Sequence, residues 1–503
     1  MAVTFYGYPR FDKKETAIHL QRDLQAAAEL DGRFAVAIQA GKHTSLFCSA
    51  DGVTQLFYTV QGGELHYGTS VSDVIESAGL NWQWDYEALV DLATFAHLIG
   101  DQTLHPAVRR VGSAELIHWD GTALSKETLK LPPTCSTGDP AQEAIDIVLD
   151  VVRSEAQPDD LISLSAGFDS RVILAAFLAL GLKPNLLVMG GTRSTDATIA
   201  TEIARSFSLP LERVPLDGSR MIGDRSLISR ATSGTKTIDN WHTYEYIAAA
   251  RSAGTNIWIG SNGEFARTFF VDRGLQFYAA HAVGSPVVKK FWDVKVSRTA
   301  LPESMRPLLV EELRECLRSE RLIARVLRFF PHRSLGETND QLYLERVRQF
   351  IANGLRLVST RYSPHAPFLH PGWIAAVKRM PRHWKLGNRW HRHAIRQLCP
   401  ELLRFPYDTS GRPMGHAPGI RYWFGFEPHS HNVPYFDYVH FVRSPSFREA
   451  YEAAATTLKG IVRGDDTSAL LGQLPLRTTA YMATLSFFSE MQTKSCPTAR
   501  VEA

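Results

Sequence analysis

Residues 164–171, LSAGFDSR, join a short apolar run, LIS at 161–163, to a longer one, VILAAFLALG at 172–181. A strand, a loop of small residues and the start of a helix is the order that this pattern predicts. Three chemistries could explain such a loop. A nucleophilic serine on an elbow needs G-x-S-x-G, but Ser170 follows Asp169 and precedes Arg171, so that pattern fails. A Walker A loop needs a lysine that is absent, and no G-x-G-x-x-G is present. Two readings stay open. Loop amides and helix-start N–H groups can cradle an anion, with Ser165 and Ser170 as hydroxyl donors and Asp169 on a magnesium ion. Alternatively, the Asp and Ser residues simply cap a helix.

The flanking sequence supplies the architecture. A helix is expected over 141–152, a strand at 161–165, a helix over 171–180 and a strand at 185–190. A helix over 196–207, a strand at 213–216, a long helical stretch and a strand at 256–260 follow. Strand and helix alternating at this spacing predict an α/β fold with a parallel sheet and right-handed crossovers. Before it, FAVAI, TSLFCSA, QLFYTV and ELHYGTS are short runs parted by Gly and Asp-Gly turns, which predict stacked antiparallel hairpins, with one helix at 86–96. The Pro/Gly/Ser/Thr-rich stretch 126–140 reads as the domain boundary. The expected division is 1–130, 141–465 and a tail, 466–503, without an assigned role.

Composition excludes more than it selects. At 503 residues the chain suits two or three domains, with 44% hydrophobic and 21% charged residues, as in a globular protein. A net charge of +3 argues against a nucleic-acid partner, although Lys378 to Arg396 interleaves basic residues with Trp384 and Trp390. Five distant cysteines, Cys48, Cys135, Cys316, Cys399 and Cys496, fit reduced thiols better than disulfides or a zinc site. No signal peptide or membrane span is read, so a soluble cytoplasmic protein is expected. His391 and His393 flank Arg392 at i,i+2 and should face different ways, which argues against a metal site. Residues 318–333, RSERLIARVLRFFPHR, read as an amphipathic helix with Leu322, Val326 and Phe329 inward.

SAGFDS at 165–170 resembles the S-G-G-x-D-S pyrophosphate loop of N-type ATP pyrophosphatases, with Ala166 at the first glycine. Within that group the chain is similar to the asparagine synthetase B family, which includes β-lactam synthetases and lasso-peptide cyclases. GGTRSTDATIATEIARSFSLPLERVPL (190–216), IWIGSNGEFAR (257–267) and HAPFLHPGWIAAVKRMPRHWKLGNRWHRHAIRQLCPELL (365–403) follow the family's segments in order. LDGRFAVAI (30–38), ELHYGTSVSDVI (64–75) and TLHPAVRRVGSAELI (103–117) resemble its amidotransferase domain. The resemblance covers about 5–411.

It implies an Ntn-hydrolase-like (αββα) remnant followed by a Rossmann-like (HUP) ATP-pyrophosphatase domain with helical carboxyl-terminal additions. The family's glutamine-using members place a catalytic cysteine directly after Met1, where this chain has Ala2, so glutamine hydrolysis is not expected. The implied activity is an AMP- and pyrophosphate-forming amide synthetase. It would use ATP and Mg2+ and adenylate a small-molecule or peptide carboxylate for attack by an amine, and the partners implied are these substrates and a partner biosynthetic protein. The implied nucleotide contacts are Leu164, Ser165, Gly167, Asp169, Ser170, Met189, Gly190 and Gly260. Asp169 and Glu264 would hold the metal, and these two with Arg267 would act in catalysis. Two departures accompany the match: Ser363, beside Tyr362 and His365, stands where the family has an amine-handling glutamate, and Tyr407 stands near its phosphate-steadying lysine. Arg267, Arg361 or Arg412 could supply that charge. Ala166 lacks the easy positive φ of glycine. The alternatives are a non-catalytic ATP-binding or scaffold protein, and an enzyme adenylating a group other than a carboxylate.

Overall fold

The computed structural model describes residues 2–9, 12–20, 24, 32–49, 52–129, 138–252, 254, 256–267, 269–270, 285–330, 334–407, 411–417, 432–458, 460–463 and 474–493. Among the described residues, the first 130 positions hold eight strands: β1 (Ala2–Pro9), β2 (Gly32–Ala40), β3 (His43–Cys48), β4 (Phe57–Gln61), β5 (Glu64–Gly68), β6 (Arg109–Arg110), β7 (Glu115–Trp119) and β8 (Leu124–Thr128). They form two antiparallel sheets, ordered β1-β2-β3-β7-β8 and β5-β4-β6. Ala35, Ala37, Leu46 and Cys48 of the first meet Leu56, Tyr58 and Val111 of the second. Helix Lys13–Leu20 covers one outer face through Leu20, and Val71–Ala78 covers the other through Val71, Val74 and Ile75. The layers are helix, sheet, sheet, helix. Strand β2 is buried on both faces, which is why FAVAI is a continuous apolar run rather than an alternating one.

The second sheet system is parallel throughout. Its strands are β9 (Leu161–Ser163), β10 (Asn185–Met189), β11 (Leu211–Val214), β12 (Asn256–Trp258) and β13 (Ser363–His365), in the order β11-β10-β9-β12-β13. The expected α/β class is therefore present. Boundaries moved where loop chemistry overrode the apolar pattern: β9 stops at Ser163, β11 starts two residues early, and β12 stops at Trp258. The helix expected from 171 begins at Phe168, so three residues assigned to the loop form its first turn. Helix Phe168–Ala179 is buried nearly all round, from Ser170 to Phe177, as a central crossover helix must be.

A second core gathers the remaining helices around Trp241, Trp292, Tyr451 and Phe487. Within the stretch expected to be a tail, Leu476–Thr493 is a packed helix: Tyr481 OH donates to Leu89 O at 2.9 Å, and Arg477 donates to Ala93 O at 3.1 Å and Thr94 O at 3.0 Å. Being buried on every side, it carries no amphipathic signature to read in advance. Helix Ser319–Phe329 buries Leu322 and Val326 as expected, but Phe329 is 43% exposed. The helix ends there, and Phe330 takes the core position instead. Cys48 and Cys399 are buried and Cys316 partly so, all three as free thiols; Cys135 and Cys496 lie outside the described residues. Among the described residues no helix is long and apolar enough to cross a membrane.

One tie between the layered unit and the parallel-sheet unit is an irregular turn. Helix Leu335–Arg346 passes through a π-turn, Val347–Ile351, into helix Ala352–Val358. A π-turn releases carbonyls from the helical ladder. The Arg348 carbonyl accepts from Gln55 Nε2 at 3.0 Å and Arg110 NH1 at 3.3 Å, while Gly100 O accepts from Arg110 NH2 at 2.9 Å and Gln349 Nε2 at 3.0 Å. Arg110 is buried, so Arg110→Met leaves desolvated carbonyls short of donors. We expect it to lower the unfolding free energy by about 2–4 kcal/mol in urea denaturation; no measurable change would mean that the tie is dispensable.

Candidate functional site

Strand β9 is central. From it the chain runs to β10 and β11 on one side, then returns to add β12 and β13 on the other. At such a reversal, the connections leaving the two middle strands part, and a crevice opens at their carboxyl ends. Here the connections are the 164–167 loop after β9 and the 259–263 turn after β12. The two stretches singled out by sequence thus face each other.

The first loop is held from within. Ser165 N donates to Ser170 Oγ at 3.0 Å, the two hydroxyls are 3.1 Å apart, and Gly167 N donates to Ser165 Oγ at 3.2 Å. Asp196, in the first turn of helix Thr195–Phe207, accepts Ala166 N on Oδ1 at 2.6 Å. From beneath, the fully buried Arg171 guanidinium donates to Ala166 O at 3.0 Å and Pro406 O at 2.6 Å. Ser165, Gly167 and Asp169 are left partly open, whereas Ala166 and Ser170 are buried. Gly167 occupies the cap of helix Phe168–Ala179 with no side-chain hydrogen bond, while Asp139 and Ser194 cap helices Pro140–Glu155 and Thr195–Phe207. The reading of Asp169 or Ser170 as a helix cap is therefore corrected: both lie within the first turn.

Ala166 needs no glycine. Its φ is not positive, and its methyl is fully buried in the main core. The close approaches occur elsewhere. A Cβ on Gly263 would lie 2.4 Å from Asp169 Oδ1, and one on Gly260 would lie 2.8 Å from Ser170 N. Only glycine lets the β12 turn press against the helix start. Gly190, at φ +103°, has a similar role after β10, where a Cβ would meet Ser194 Oγ at 2.6 Å and Tyr435 Cβ at 2.9 Å.

Two carboxylates meet in the crevice. Asp169 Oδ1 lies 2.8 Å from Nε2 of the buried His391, which is also 3.2 Å from Gly263 O. Glu264 Oε2 accepts from Tyr343 OH at 3.0 Å. Burial raises the Glu264 carboxyl above its ordinary pKa, the negative Asp169 raises it further, and Arg267 opposes the shift. Burial and Glu264 likewise push the Tyr343 hydroxyl well up. Among the described residues no three His, Cys, Asp or Glu side chains form a metal-binding group.

The other expected residues divide. Met189 ends β10, half-buried at the crevice edge. Leu164 donates its N–H to Leu187 O at 2.9 Å and buries its side chain in the core, so only backbone remains to meet a ligand. Tyr407 stacks on Phe168 at 4.7 Å between ring centroids, and Arg392 lies over the same ring at 5.1 Å. Ser363 opens β13 at its amino end, Tyr362 OH donates to Ser252 O at 3.2 Å, and His365 turns onto the sheet face, 2.7 Å from Glu155 Oε2. These side chains are committed away from the crevice. Arg361 lies in a separate groove of about 1070 Å³ beside β11, with Glu212, Arg220 and Glu245, which contains none of the loop residues. Arg412 is exposed on the turn that Tyr407 closes.

Tyr343 and His391 were not read as site residues from sequence. His391 was legible: helix Arg389–Leu398 buries Trp390, His391, Ala394 and Ile395, one stripe that includes a histidine. His393 faces elsewhere, 4.9 Å from the Trp384 ring, as the i,i+2 spacing requires. Tyr343 had no such signal, because its helix is buried at scattered positions. No protein-family model matches the chain, and no curated protein matches it.

Ala166→Gly removes a buried methyl and loosens the backbone, so thermal and urea unfolding should show a loss of about 1–2 kcal/mol. Unchanged or increased stability would mean that Ala166 is under strain after all. Gly263→Ala should displace Asp169 and abolish the Asp169–His391 contact, which histidine NMR shifts would report; an unmoved His391 signal would count against this packing.

Proposed function

We propose that the chain is an ATP-dependent, AMP- and pyrophosphate-forming amide synthetase that activates a substrate carboxylate, akin to the asparagine synthetase B family. The observation that carries this reading is the meeting, at the reversal point of a parallel sheet, of a helix start without a side-chain cap, bearing Asp169 behind a Ser/Gly loop, with Glu264 on the turn opposite. Phosphate groups are favoured at such a helix start, where amides point outward and the helix dipole is positive. Ser165 Oγ and the N–H groups of Phe168 and Asp169, after Gly167, are the donors that would face pyrophosphate.

The residues present also suit a divalent cation. Asp169 engages His391 through Oδ1 and Glu264 engages Tyr343 through Oε2, and two carboxylates side by side are the donor type a divalent cation takes. Glu264's raised pKa reflects the crowding of two carboxylates that a cation would relieve. Bound there, magnesium would neutralise charge on the phosphates as pyrophosphate leaves. His391 and Tyr343 orient the two carboxylates, and Arg267 adds positive charge on the same side of the crevice. Electrostatic help of this kind contributes several kcal/mol to many acyl and phosphoryl transfers.

On this reading the layered amino-terminal unit corresponds to an Ntn-type amidotransferase remnant serving as a structural partner. Its Cys48 is a buried core residue. The amine would come from the substrate itself, a second substrate or free ammonia. Peptide-modification or specialised-metabolite chemistry, including lactam or lasso ring closure, fits such an enzyme.

One observation favours a second reading. Asp169 Oδ1 is already engaged by His391 Nε2 at 2.8 Å, a contact made without metal, as in a binding or scaffold protein built on the same fold. Calorimetry with Mg-ATP and pyrophosphate release over a panel of carboxylic acids separate the two. The enzyme reading expects both signals, with Asp169→Asn cutting pyrophosphate release by roughly 10²-fold or more. Equal rates in the variant would remove the loop from the chemistry, and ATP binding without turnover on any acid would favour the second reading.

A further inference from the structure

A buried lysine, Lys236, and a half-buried arginine, Arg346, meet one helical turn beyond Tyr343. Lys236 is 4% exposed, and its Nζ sits 3.9 Å from the centroid of the Phe350 ring, with a single hydrogen bond, to Phe350 O, at 3.4 Å. The Arg346 guanidinium also sits 3.9 Å from that centroid and 5.1 Å from that of Phe269. Among the described residues neither cation forms an ion pair. A third, Lys295, lies 4.0 Å from the Phe270 ring centroid. The cations repel one another: burial and then Arg346 lower the pKa of Lys236 to about 7 and that of Lys295 to about 8. Asp239 opposes the shift at Lys236, and nearby His242 is held neutral by burial and by the Lys236 charge.

Magnitudes decide against a purely structural role. Taking a charged group out of water costs several kcal/mol, whereas a desolvated cation–π contact returns about 2. Two cations crowding one ring leave that deficit open, and an anion would close it. Tyr343 and Arg346 are three residues apart on one helix, so their side chains share a face. Tyr343 binds Glu264, and Arg346 in turn feels the Glu264 charge. An anion on Lys236 and Arg346 would therefore lie next to the carboxylate pair but apart from it.

We propose that Lys236, Arg346 and the Phe269–Phe350 wall form a subsite for a second anionic group of the acid substrate, carried on an apolar framework. That the occupant is the acid rests on the carboxylate-activating reading above; that the subsite takes an anion does not. The substrate class is then an acid with two anionic groups, one held here and one presented beside Asp169 and Glu264.

The test uses the full chain without ATP, so that it stands or falls separately from nucleotide chemistry. Benzylsuccinate, 3-phenylpropionate and inorganic phosphate are titrated by calorimetry at pH 8 in buffers of different ionisation enthalpy. Benzylsuccinate should bind more tightly than the mono-acid and take up protons, because an anion raises the pKa of a lysine that is partly neutral in the free protein. Lys236→Met should weaken it roughly tenfold or more and abolish the proton uptake, while Lys236→Arg should retain affinity without uptake. Removing an unpaired buried charge should not unfold the protein, which thermal denaturation checks, and Arg346→Met gives an independent loss of affinity. Equal affinity in wild type and Lys236→Met, or no binding by any probe, overturns the subsite. Phosphate binding without benzylsuccinate binding overturns its assignment to the acid substrate.

Discussion

The crevice depends on how closely the turn after β12 approaches the first turn of helix Phe168–Ala179. That distance is set by two absent side chains. With any Cβ at Gly260 or Gly263, the backbone of Ser170 or the carboxylate of Asp169 would have to move. Because contact is this close, Asp169 and Glu264 share one field, His391 reaches Asp169 through the same gap, and Tyr343 arrives opposite. Arg171 supports the loop from the core, binding carbonyls on both sides of it and leaving its own charge unavailable to a ligand. Rigidity beneath and openness above are what an anion-binding loop requires.

The amino-terminal layers take part in this geometry although they face away from it. The π-turn at Val347–Ile351 offers the Arg348 carbonyl to Gln55 and Arg110, and that turn follows directly on Tyr343 and Arg346. A regular helix there would have kept its carbonyls to itself and carried Phe350 to a different angle. Arg33 adds a further tie, donating to Pro364 O in β13. Buried arginines directed at carbonyls join the two units more specifically than apolar packing would, since each lost partner leaves a desolvated polar group.

Much of this was legible in the residues. Alternating apolar runs predicted the parallel sheet, and the Ser/Gly/Asp loop and the GSNGEF turn were both singled out before their positions were known. Periodicity failed where a helix is buried all round: helix Leu476–Thr493 has no polar face to betray it, whereas the equally buried β2 was legible as a short apolar run between turns. The register of the PF segment sets Ser363, with Tyr362 and His365 beside it, at the family's glutamate position; strand direction puts Ser363 at the end of β13 away from the crevice and His365 against Trp258. Linear spacing cannot report which end of a strand a residue occupies until the partner strand is known.

The sequence by itself determined the α/β class of fold and drew attention to the 164–171 loop and the two carboxylates, because strand period, glycine placement and side-chain chemistry are local properties. Only the tertiary structure decided that those carboxylates meet, that His391 and Tyr343 hold them, and that Lys236 and Arg346 crowd one aromatic ring. Lys236 and Arg346 are separated by over a hundred residues, and they meet on the Phe350 ring only because folding brings them there. Burial and proximity are properties of the packed chain, and no local pattern encodes them.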